Sequence, residues 1–255
     1  MIGAVPNALD VALIDIGGTL WPNSWPFRKS DGLGRHQRVT AAMPMLDAPA
    51  VDKLVADLIE SSRHGDQARA AGMNNSGGTF GSAEVLVAEC LALQGLPADP
   101  QTVSRIRRAM AIPVSDRMKP LPGAIELLAE IQALGLGTVI TSNTYWRDAE
   151  SYWEDFRLLG MAPYIDRVVT SVDAGNLKPH PAVFEMAMRI AGVPADHCVV
   201  IGNREENDIE PALALGMWTI LVYPDDPEPA SSRAHMVAPD LWECANALKT
   251  MVATA

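Results

Sequence analysis

The sequence predicts an α/β protein, a doubly wound parallel sheet with an inserted α-helical domain. Three observations predict this class. The sequence has five short apolar segments of strand length, and helical segments separate the last four of them. A long stretch, residues 16–137, lies between the first and the second of these apolar segments. Apolar runs of this kind are typical of strands buried on both faces of a parallel sheet, and alternation with helices favours right-handed crossovers. The predicted strands are Val11–Asp15, Thr138–Thr141, Arg167–Ser171, Cys198–Gly202 and Trp218–Tyr223.

Proline and glycine bound the predicted helices of this core. Pro122 begins a segment with apolar residues at helical spacing, and Gly135 follows its end. Pro181 and Gly192 bound a second segment in the same way, and a shorter helix follows Asp208. Proline is favoured in the first turn of a helix and glycine directly after the last, so these positions predict helix boundaries.

The stretch after the first strand is too long for one crossover and contains helical patterns of its own. Apolar residues follow helical spacing over 51–59 and again over 103–110, and Asp99 followed by proline is a helix-start signal. The Gly-rich segment Asn74–Ser82 is interpreted as a flexible connection. The predicted boundaries are 24–116 for a helical cap and 1–23 with 117–255 for the α/β core.

Composition and charge limit the partners. The 255 residues carry a net charge of −11, which disfavours nucleic acid and anionic membranes as partners. The start of the chain lacks the basic and apolar regions of a signal peptide, and no apolar run reaches the length of a membrane span. Cys90, Cys198 and Cys244 are interpreted as buried thiols of a cytoplasmic protein. The acidic tail beyond Pro224 is expected to end in a helix from Asp240 and to carry no chemistry.

Polar residues follow the predicted strands at their carboxyl ends, where ligands bind in open α/β sheets. We therefore expect these side chains to surround a single pocket at one edge of the sheet. They are Asp15, Gly17, Gly18 and Thr19 after the first strand, Ser142 and Asn143 after the second, Lys178 after the third, and Asn203 and Asp208 after the fourth.

These residue types suit attack on an electrophile that bears anionic oxygens. Asp15 can act as a nucleophile through a covalent intermediate. Ser142 and Lys178 can hold oxygens of the transferred group, and Lys178 can neutralise the attacking carboxylate beforehand. Asp208 and Asn203 offer oxygen ligands for Mg²⁺, a hard cation.

The ordered set resembles the four motifs of the haloacid dehalogenase-like hydrolase superfamily: an aspartate-led DxDGT-type motif, a strand-end Ser or Thr, a lysine, and a final acidic motif. The resemblance extends from Val11 to about Tyr223. It implies a phosphohydrolase that forms an aspartyl-phosphate and has a helical cap over a small phosphorylated substrate. It implies Asp15 and Lys178 as catalytic residues, Thr19, Ser142, Asn143 and Lys178 as substrate-binding residues, and Asp15, the Gly17 carbonyl, Asn203 and Asp208 as Mg²⁺ ligands.

Two positions depart from the phosphatase pattern. The family's general acid–base aspartate is replaced by Gly17, and the leading acidic residue of the last motif is replaced by Asn203. General acid–base groups typically contribute about 10²–10⁴-fold, so substrates with alkoxide leaving groups are expected to react slowly. Acyl, enol or aryl phosphates need less protonation. The amide of Asn203 still offers an oxygen to Mg²⁺, but with less negative charge.

Three functions therefore stay open at this point. A Mg²⁺-dependent phosphohydrolase is the leading one. A metal-free hydrolase, dehalogenase-like or phosphonatase-like, is the second, although dehalogenases carry tyrosine where Gly17 stands and only Lys29 and Lys53 are candidate Schiff-base lysines in the cap. A non-catalytic relative that binds a phosphorylated ligand or a partner protein is the third. The substrate and the oligomeric state have no readable signal in the sequence.

Overall fold

The computed structural model describes residues 8–23, 31–70, 83–114, 118–224 and 226–254. The Gly-rich segment 74–82 and Lys29 lie outside these residues. The chain divides into two compact units. The first consists of Met1–Ser24, Val114–Asn143 and Asp148–Ala255, and the second of Trp25–Pro113 with Thr144–Arg147. The boundaries drawn from the sequence did not include the short segment after Asn143 in the helical unit.

The first unit contains a six-stranded sheet in which every pair of neighbours is parallel. Its strands are β1 Val11–Ile14, β2 Gly137–Ser142, β3 Arg167–Thr170, β4 Cys198–Gly202, β5 Trp218–Val222 and β6 Met236–Ala238. The order across the sheet is β3-β2-β1-β4-β5-β6, so β1 lies between β2 and β4. The predicted fold class is confirmed, and the five predicted strands match β1 to β5 within one residue at each end.

Buried aliphatic side chains explain why these segments form central strands. Leu13 and Ile14 on β1, Ile201 on β4 and Ile220 on β5 have no exposed surface. Burying one such side chain stabilises the fold by about 1.5–3 kcal/mol. Strand β6 was not predicted, because a three-residue edge strand is too short to show an apolar period.

Helices surround this sheet and make up the second unit. The helical unit contains α1 Asp31–Ala42, α2 Ala48–Ala70, α3 Ala83–Leu93 and α4 Pro100–Met110. The α/β unit contains α5 Ala124–Ala133, α6 Ala149–Leu158, α7 Ser171–Ala174, α8 Ala182–Ala191, α9 Glu210–Ala214 and α10 Leu241–Ala253. A π-helical turn, Glu205–Ile209, leads directly into α9.

The helix starts predicted at Asp99 and Asp240 are confirmed by capping bonds. The Asp99 carboxylate accepts hydrogen bonds from the backbone N–H groups of Gln101 and Thr102 at 3.1 and 3.0 Å. The Asp240 carboxylate accepts one from Glu243 N–H at 2.8 Å at the start of α10. Side-chain acceptors at this position satisfy N–H groups that have no partner within the helix.

The helical unit has its own apolar core, to which Leu54, Leu91, Ile106 and Met110 contribute fully buried side chains. The buried guanidinium of Arg107 donates to the backbone carbonyl oxygen of Trp146 at 2.7 Å.

All three cysteines are buried free thiols. Within the described part of the chain, no helix combines the length and the apolar character that crossing a bilayer requires.

Candidate functional site

The turn after β1 presents the Asp15 carboxylate at the carboxyl edge of the sheet. The backbone N–H of Asp15 still bonds the carbonyl of Ile201 on β4 at 2.9 Å, so the residue extends the central strand. The chain then turns back, and Gly18 N–H donates to the carbonyl of Trp21 at 2.7 Å. Gly18 has φ +80°, a left-handed conformation that favours glycine. The Thr19 hydroxyl lies 3.5 Å from Asp15 Oδ2.

Lys178 is positioned from the loop that follows β2. The Asn143 side chain donates from Nδ2 to the Lys178 carbonyl oxygen at 2.8 Å and accepts from the Lys178 backbone N–H at 2.7 Å. This reciprocal pair holds the segment between α7 and α8 against the end of β2. The contacts of Asn143 are therefore those of a residue that positions the lysine.

The Lys178 ammonium joins two carboxylates from different strand ends. Its Nζ lies 2.8 Å from Asp15 Oδ1, 2.5 Å from Asp208 Oδ1 and 3.1 Å from the Thr141 carbonyl oxygen. The Lys178 and Asp208 side chains are 1% and 2% exposed, whereas that of Asp15 keeps 13%. All three ammonium protons thus have acceptors, and among these three side chains Asp15 has the most open access to solvent.

Asp208 is held by the backbone around it. Its Oδ2 accepts a hydrogen bond from the Arg204 backbone N–H at 3.1 Å. A Cβ on Gly202 would stand 2.5 Å from the Asp208 carboxylate carbon, so only glycine at the end of β4 lets this side chain pass. The π-helical turn then returns the chain into α9. The backbone after β4 thus holds the Asp208 carboxylate beside Lys178.

Burial perturbs the acidity of the nucleophile candidate. Desolvation raises the pKa of Asp15 to about 6; the nearby Lys178 ammonium opposes this rise and the Asp208 carboxylate adds to it. Desolvation by itself lowers the pKa of Lys178, but the two carboxylates outweigh that effect and hold it above its ordinary value. At neutral pH the site therefore contains a charged ammonium and an Asp15 that is mostly ionised.

Ser142 lies at the end of β2 directly after Thr141, whose carbonyl oxygen accepts from Lys178. Its side chain is buried, with 5% of the residue exposed. Gly17 lies two residues after Asp15 and forms a bridge with Trp21. Gly17 and Ser142 thus lie at the same edge of the sheet as Lys178 and the two carboxylates, Asp15 and Asp208, that it contacts.

Asn203 has one satisfied and one unsatisfied side-chain atom. Its Nδ2 donates to Asp226 Oδ2 at 3.2 Å. Its Oδ1 is buried and has no hydrogen-bond partner among the described residues. A buried acceptor without a donor is costly, and a cation would satisfy it.

The oxygen donors of this edge fit a hard divalent cation. All the candidate ligands are oxygen atoms, the kind that Mg²⁺ prefers. They come from the carboxylates of Asp15 and Asp208, the unsatisfied amide of Asn203 and the backbone carbonyl of Gly17. In the described ranges, no group of three or more His, Cys, Asp or Glu side chains is arranged to hold a metal. A metal here would therefore depend on the amide oxygen and the carbonyl as well as on the carboxylates.

Two contacts were missed by the sequence analysis. Asp226 lies beyond the end of β5, and the strand-end rule that selected the other residues also applies to it, although the acidic tail was expected to carry no chemistry. Asn23 lies against the turn after β1, where a Cβ on Gly17 would stand 2.6 Å from its Oδ1. No sequence pattern marks that approach.

The candidate Schiff-base residue Lys53 is exposed on α2 and pairs with Asp57 at 2.6 Å.

Parts of the chain are similar to curated phosphatases. Glyceraldehyde 3-phosphate phosphatase of Methanocaldococcus jannaschii is 36% identical over 106 residues, which are 41% of this chain and 45% of that protein. Ribulose-1,5-bisphosphate 5-phosphatase of Halopiger xanaduensis is 30% identical over 123 residues, 48% of this chain and 50% of that protein. The chain spans about half the length of the curated relatives it matches.

Solved structures match over nearly the whole chain. The 2-haloacid dehalogenase of Pseudomonas syringae superposes with a TM-score of 0.59 at 21% identity, covering 95% of this chain and 99% of that chain. A HAD phosphatase of Thermococcus onnurineus superposes with a TM-score of 0.54 at 17% identity, covering 94% and 98%. At these identities the likeness shows the fold alone.

A family model described as haloacid dehalogenase-like hydrolase matches residues 9–216, from the start of β1 to the end of α9. That range includes Lys178 and the two carboxylates that it contacts, Asp15 and Asp208. The chain belongs to the haloacid dehalogenase-like hydrolase family.

Proposed function

We propose that this chain is a Mg²⁺-dependent phosphohydrolase that acts on a small phosphorylated metabolite of the sugar-phosphate type. The observation that carries the proposal is the Lys178 ammonium, which lies 2.8 Å from Asp15 and 2.5 Å from Asp208 at the ligand-binding edge of the sheet. The two curated relatives described above are named for phosphatases of phosphorylated sugars, which supports this substrate class. Because Gly17 replaces the general acid, turnover of these alkyl esters is expected to be slow.

The proposed reaction begins with attack of an Asp15 carboxylate oxygen on phosphorus. The bond from phosphorus to the leaving oxygen breaks, and an aspartyl-phosphate forms on Asp15. Water then attacks the same phosphorus, the bond to the carboxylate oxygen breaks, and phosphate leaves with Asp15 restored. In this proposal Lys178 keeps Asp15 ionised for attack, and it binds an oxygen of the phosphoryl group in exchange for one of its three present acceptors. Thr19 and Ser142 supply hydroxyls at the same edge.

The charges on these side chains support a role for a cation. The carboxylates of Asp15 and Asp208 and the Lys178 ammonium give a formal local charge of −1, which repels a phosphate dianion. Asp15, the Gly17 carbonyl, Asn203 and Asp208 would hold Mg²⁺. When bound, the ion would neutralise phosphoryl oxygens and favour their approach to the nucleophile. The unsatisfied Oδ1 of Asn203 supports its place among these ligands.

The proposal is tested with a broad set of acyl, enol, aryl and sugar phosphates in the presence and absence of Mg²⁺. Mg²⁺-dependent release of phosphate is expected, and Asp15→Asn is expected to abolish it. Asp99→Asn is the matched control, because it makes the same chemical change at a helix cap of the other unit, where Asn caps as well as Asp.

Other outcomes favour the other functions. Turnover that persists in EDTA, or release of halide from 2-haloacids, would favour a metal-free hydrolase. Thermal stabilisation by phosphorylated ligands without turnover would favour a binding protein, a function that the two departures at Gly17 and Asn203 motivate. The absence of any phosphate release with folded protein and metal present would refute the proposed phosphohydrolase.

A further inference from the structure

The side chain of Asn203 is held in one orientation by its neighbour Asp226. Its Nδ2 donates a hydrogen bond to Asp226 Oδ2 at 3.2 Å. An ionised carboxylate can only accept hydrogen bonds, so the amide nitrogen has to face Asp226 and the amide oxygen has to face away from it. That oxygen, Oδ1, is buried and has no hydrogen-bond partner among the described residues. The contact with Asp226 therefore decides which atom of the amide is left unsatisfied.

The amide of Asn203 lies against the turn that follows Asp15. Its Nδ2 atom stands too close to a Cβ built on Gly18 for a side chain to fit there. Gly18 is in the turn after β1, and Asn203 directly follows β4, the strand that pairs with β1. The unsatisfied oxygen thus belongs to the edge of the sheet at which Lys178 meets its two carboxylates.

The segment that carries Asp226 is anchored by several hydrogen bonds. The backbone N–H of Asp226 donates to the Tyr223 carbonyl oxygen at 3.3 Å, which closes a turn directly after β5. Further along the chain, the Glu205 carboxylate accepts from the Ser232 hydroxyl and from the Arg233 backbone N–H, both at 2.7 Å. Glu205 begins the π-helical turn after β4. The chain after β5 is therefore tied to the loop after β4 at two places, and Asp226 provides the first of them.

We propose that Asp226 is a positioning residue that keeps the Oδ1 atom of Asn203 free to bind Mg²⁺. This inference rests on the proposed phosphohydrolase function and on its Mg²⁺ site. An aspartate at position 203 would offer two equivalent oxygens and would need no partner to orient it, whereas an amide offers an oxygen on one side only. The negative charge that position 203 lacks is thus present one hydrogen bond further out, on the residue that orients the amide.

Calorimetric titration with Mg²⁺ alone measures the contribution of Asp226. Loss of a residue that orients a metal ligand typically weakens metal binding by about 10–100-fold, and the exposed Asp226 should lie at the low end, so Asp226→Ala should weaken Mg²⁺ binding about tenfold. Asp226→Asn removes the charge but keeps an oxygen that can accept from Asn203, so binding should stay within about threefold of the unaltered protein. Asp196→Ala, which removes the same charge from an exposed residue before β4, is the control and should leave Mg²⁺ binding unchanged.

A double variant tests whether Asp226 acts through Asn203. Asn203→Ala removes the ligand itself, so the addition of Asp226→Ala to that variant should weaken Mg²⁺ binding no further. Thermal unfolding in EDTA accompanies each titration. Asp226→Ala should unfold at the same temperature as the control Asp196→Ala, which would show that the weaker Mg²⁺ binding does not come from a less stable fold.

The outcomes separate this inference from the proposed function. Unchanged Mg²⁺ binding in Asp226→Ala, an equal loss in Asp226→Asn, or a further loss in the double variant would overturn the positioning role, while Mg²⁺-dependent phosphate release would still support the phosphohydrolase. Phosphate release by an unaltered protein that binds no Mg²⁺ would overturn this inference and the metal dependence, but not the phosphohydrolase. An unaltered protein that neither binds Mg²⁺ nor releases phosphate would overturn the proposed function and this inference with it.

Discussion

Replacement of Lys178 by methionine tests whether one ammonium holds the site together. The variant keeps most of the buried stem but removes three hydrogen bonds, to Asp15, Asp208 and the Thr141 carbonyl. Removing one partner of a buried ion pair typically costs about 3–5 kcal/mol, because the remaining charge is left unpaired. Two carboxylates lose the ammonium here, but Asp15 can take up a proton, which keeps the total loss within the range for one pair. We therefore expect the free energy of unfolding at pH 8 to fall by about 3–5 kcal/mol.

The loss should depend on pH with a defined sign. The pKa of Asp15 is already about 6 in the folded protein, above its ordinary 3.8, and removal of the ammonium raises it further. The folded variant therefore binds more protons than the folded wild type, so its stability falls more steeply as pH rises. The difference between the two proteins should be larger at pH 8 than at pH 5.5.

Urea unfolding at both pH values measures this effect. Lys249→Met is the matched control, since Lys249 pairs with Glu130 at 3.1 Å but is 48% exposed. An exposed pair contributes about 0–1 kcal/mol, so the control should stay within that range. A Lys178→Met variant that unfolds like the control, or whose loss is the same at both pH values, would refute the bridging role.

Three further predictions concern the same edge of the sheet. In metal-free protein, the NMR titration of the Asp15 carboxyl should have its midpoint near 6, and Mg²⁺ should lower it; a midpoint near 4 would contradict its desolvation. Asn203→Asp combined with Asp226→Asn should raise the affinity for Mg²⁺ by about tenfold in calorimetry, because the first change adds a negative charge at the metal. The second change prevents two carboxylates from meeting where Asn203 now donates to Asp226. Unchanged affinity would argue against Asn203 as a ligand. Gly202→Ala should destabilise the protein by about 1–3 kcal/mol, because its Cβ would clash with the buried Asp208 carboxylate. Gly34→Ala is the control: its Cβ meets no atom within 4 Å, and alanine in a helix should stabilise the protein by about 0.5–1 kcal/mol. Equal effects of the two changes in thermal unfolding would contradict this prediction.

The sequence predicted the α/β fold because its strands are buried on both faces and therefore appear as continuous apolar runs. The helix boundaries were predictable at Asp99 and Asp240 because a capping side chain acts on backbone groups two or three residues away. Strand β6 was not predictable, since it pairs only along β5 and has three residues. The assignment of Thr144–Arg147 to the helical unit was not predictable either, because it depends on packing, with Arg107 donating to the Trp146 carbonyl.

The sequence by itself determined which chemical groups end the strands of this protein, because strand ends and the residues that follow them are local features. It did not determine which of those groups touch. The ammonium of Lys178 meets Asp15 across 163 positions of the chain, and only the stacking of parallel strands side by side sets that distance. The tertiary structure also decided that Asn23 fills the space beside Gly17, because a missing side chain leaves room that any neighbour in space can take. It likewise decided that Asn203 donates a hydrogen bond to Asp226, because β4 and β5 are neighbours in the sheet.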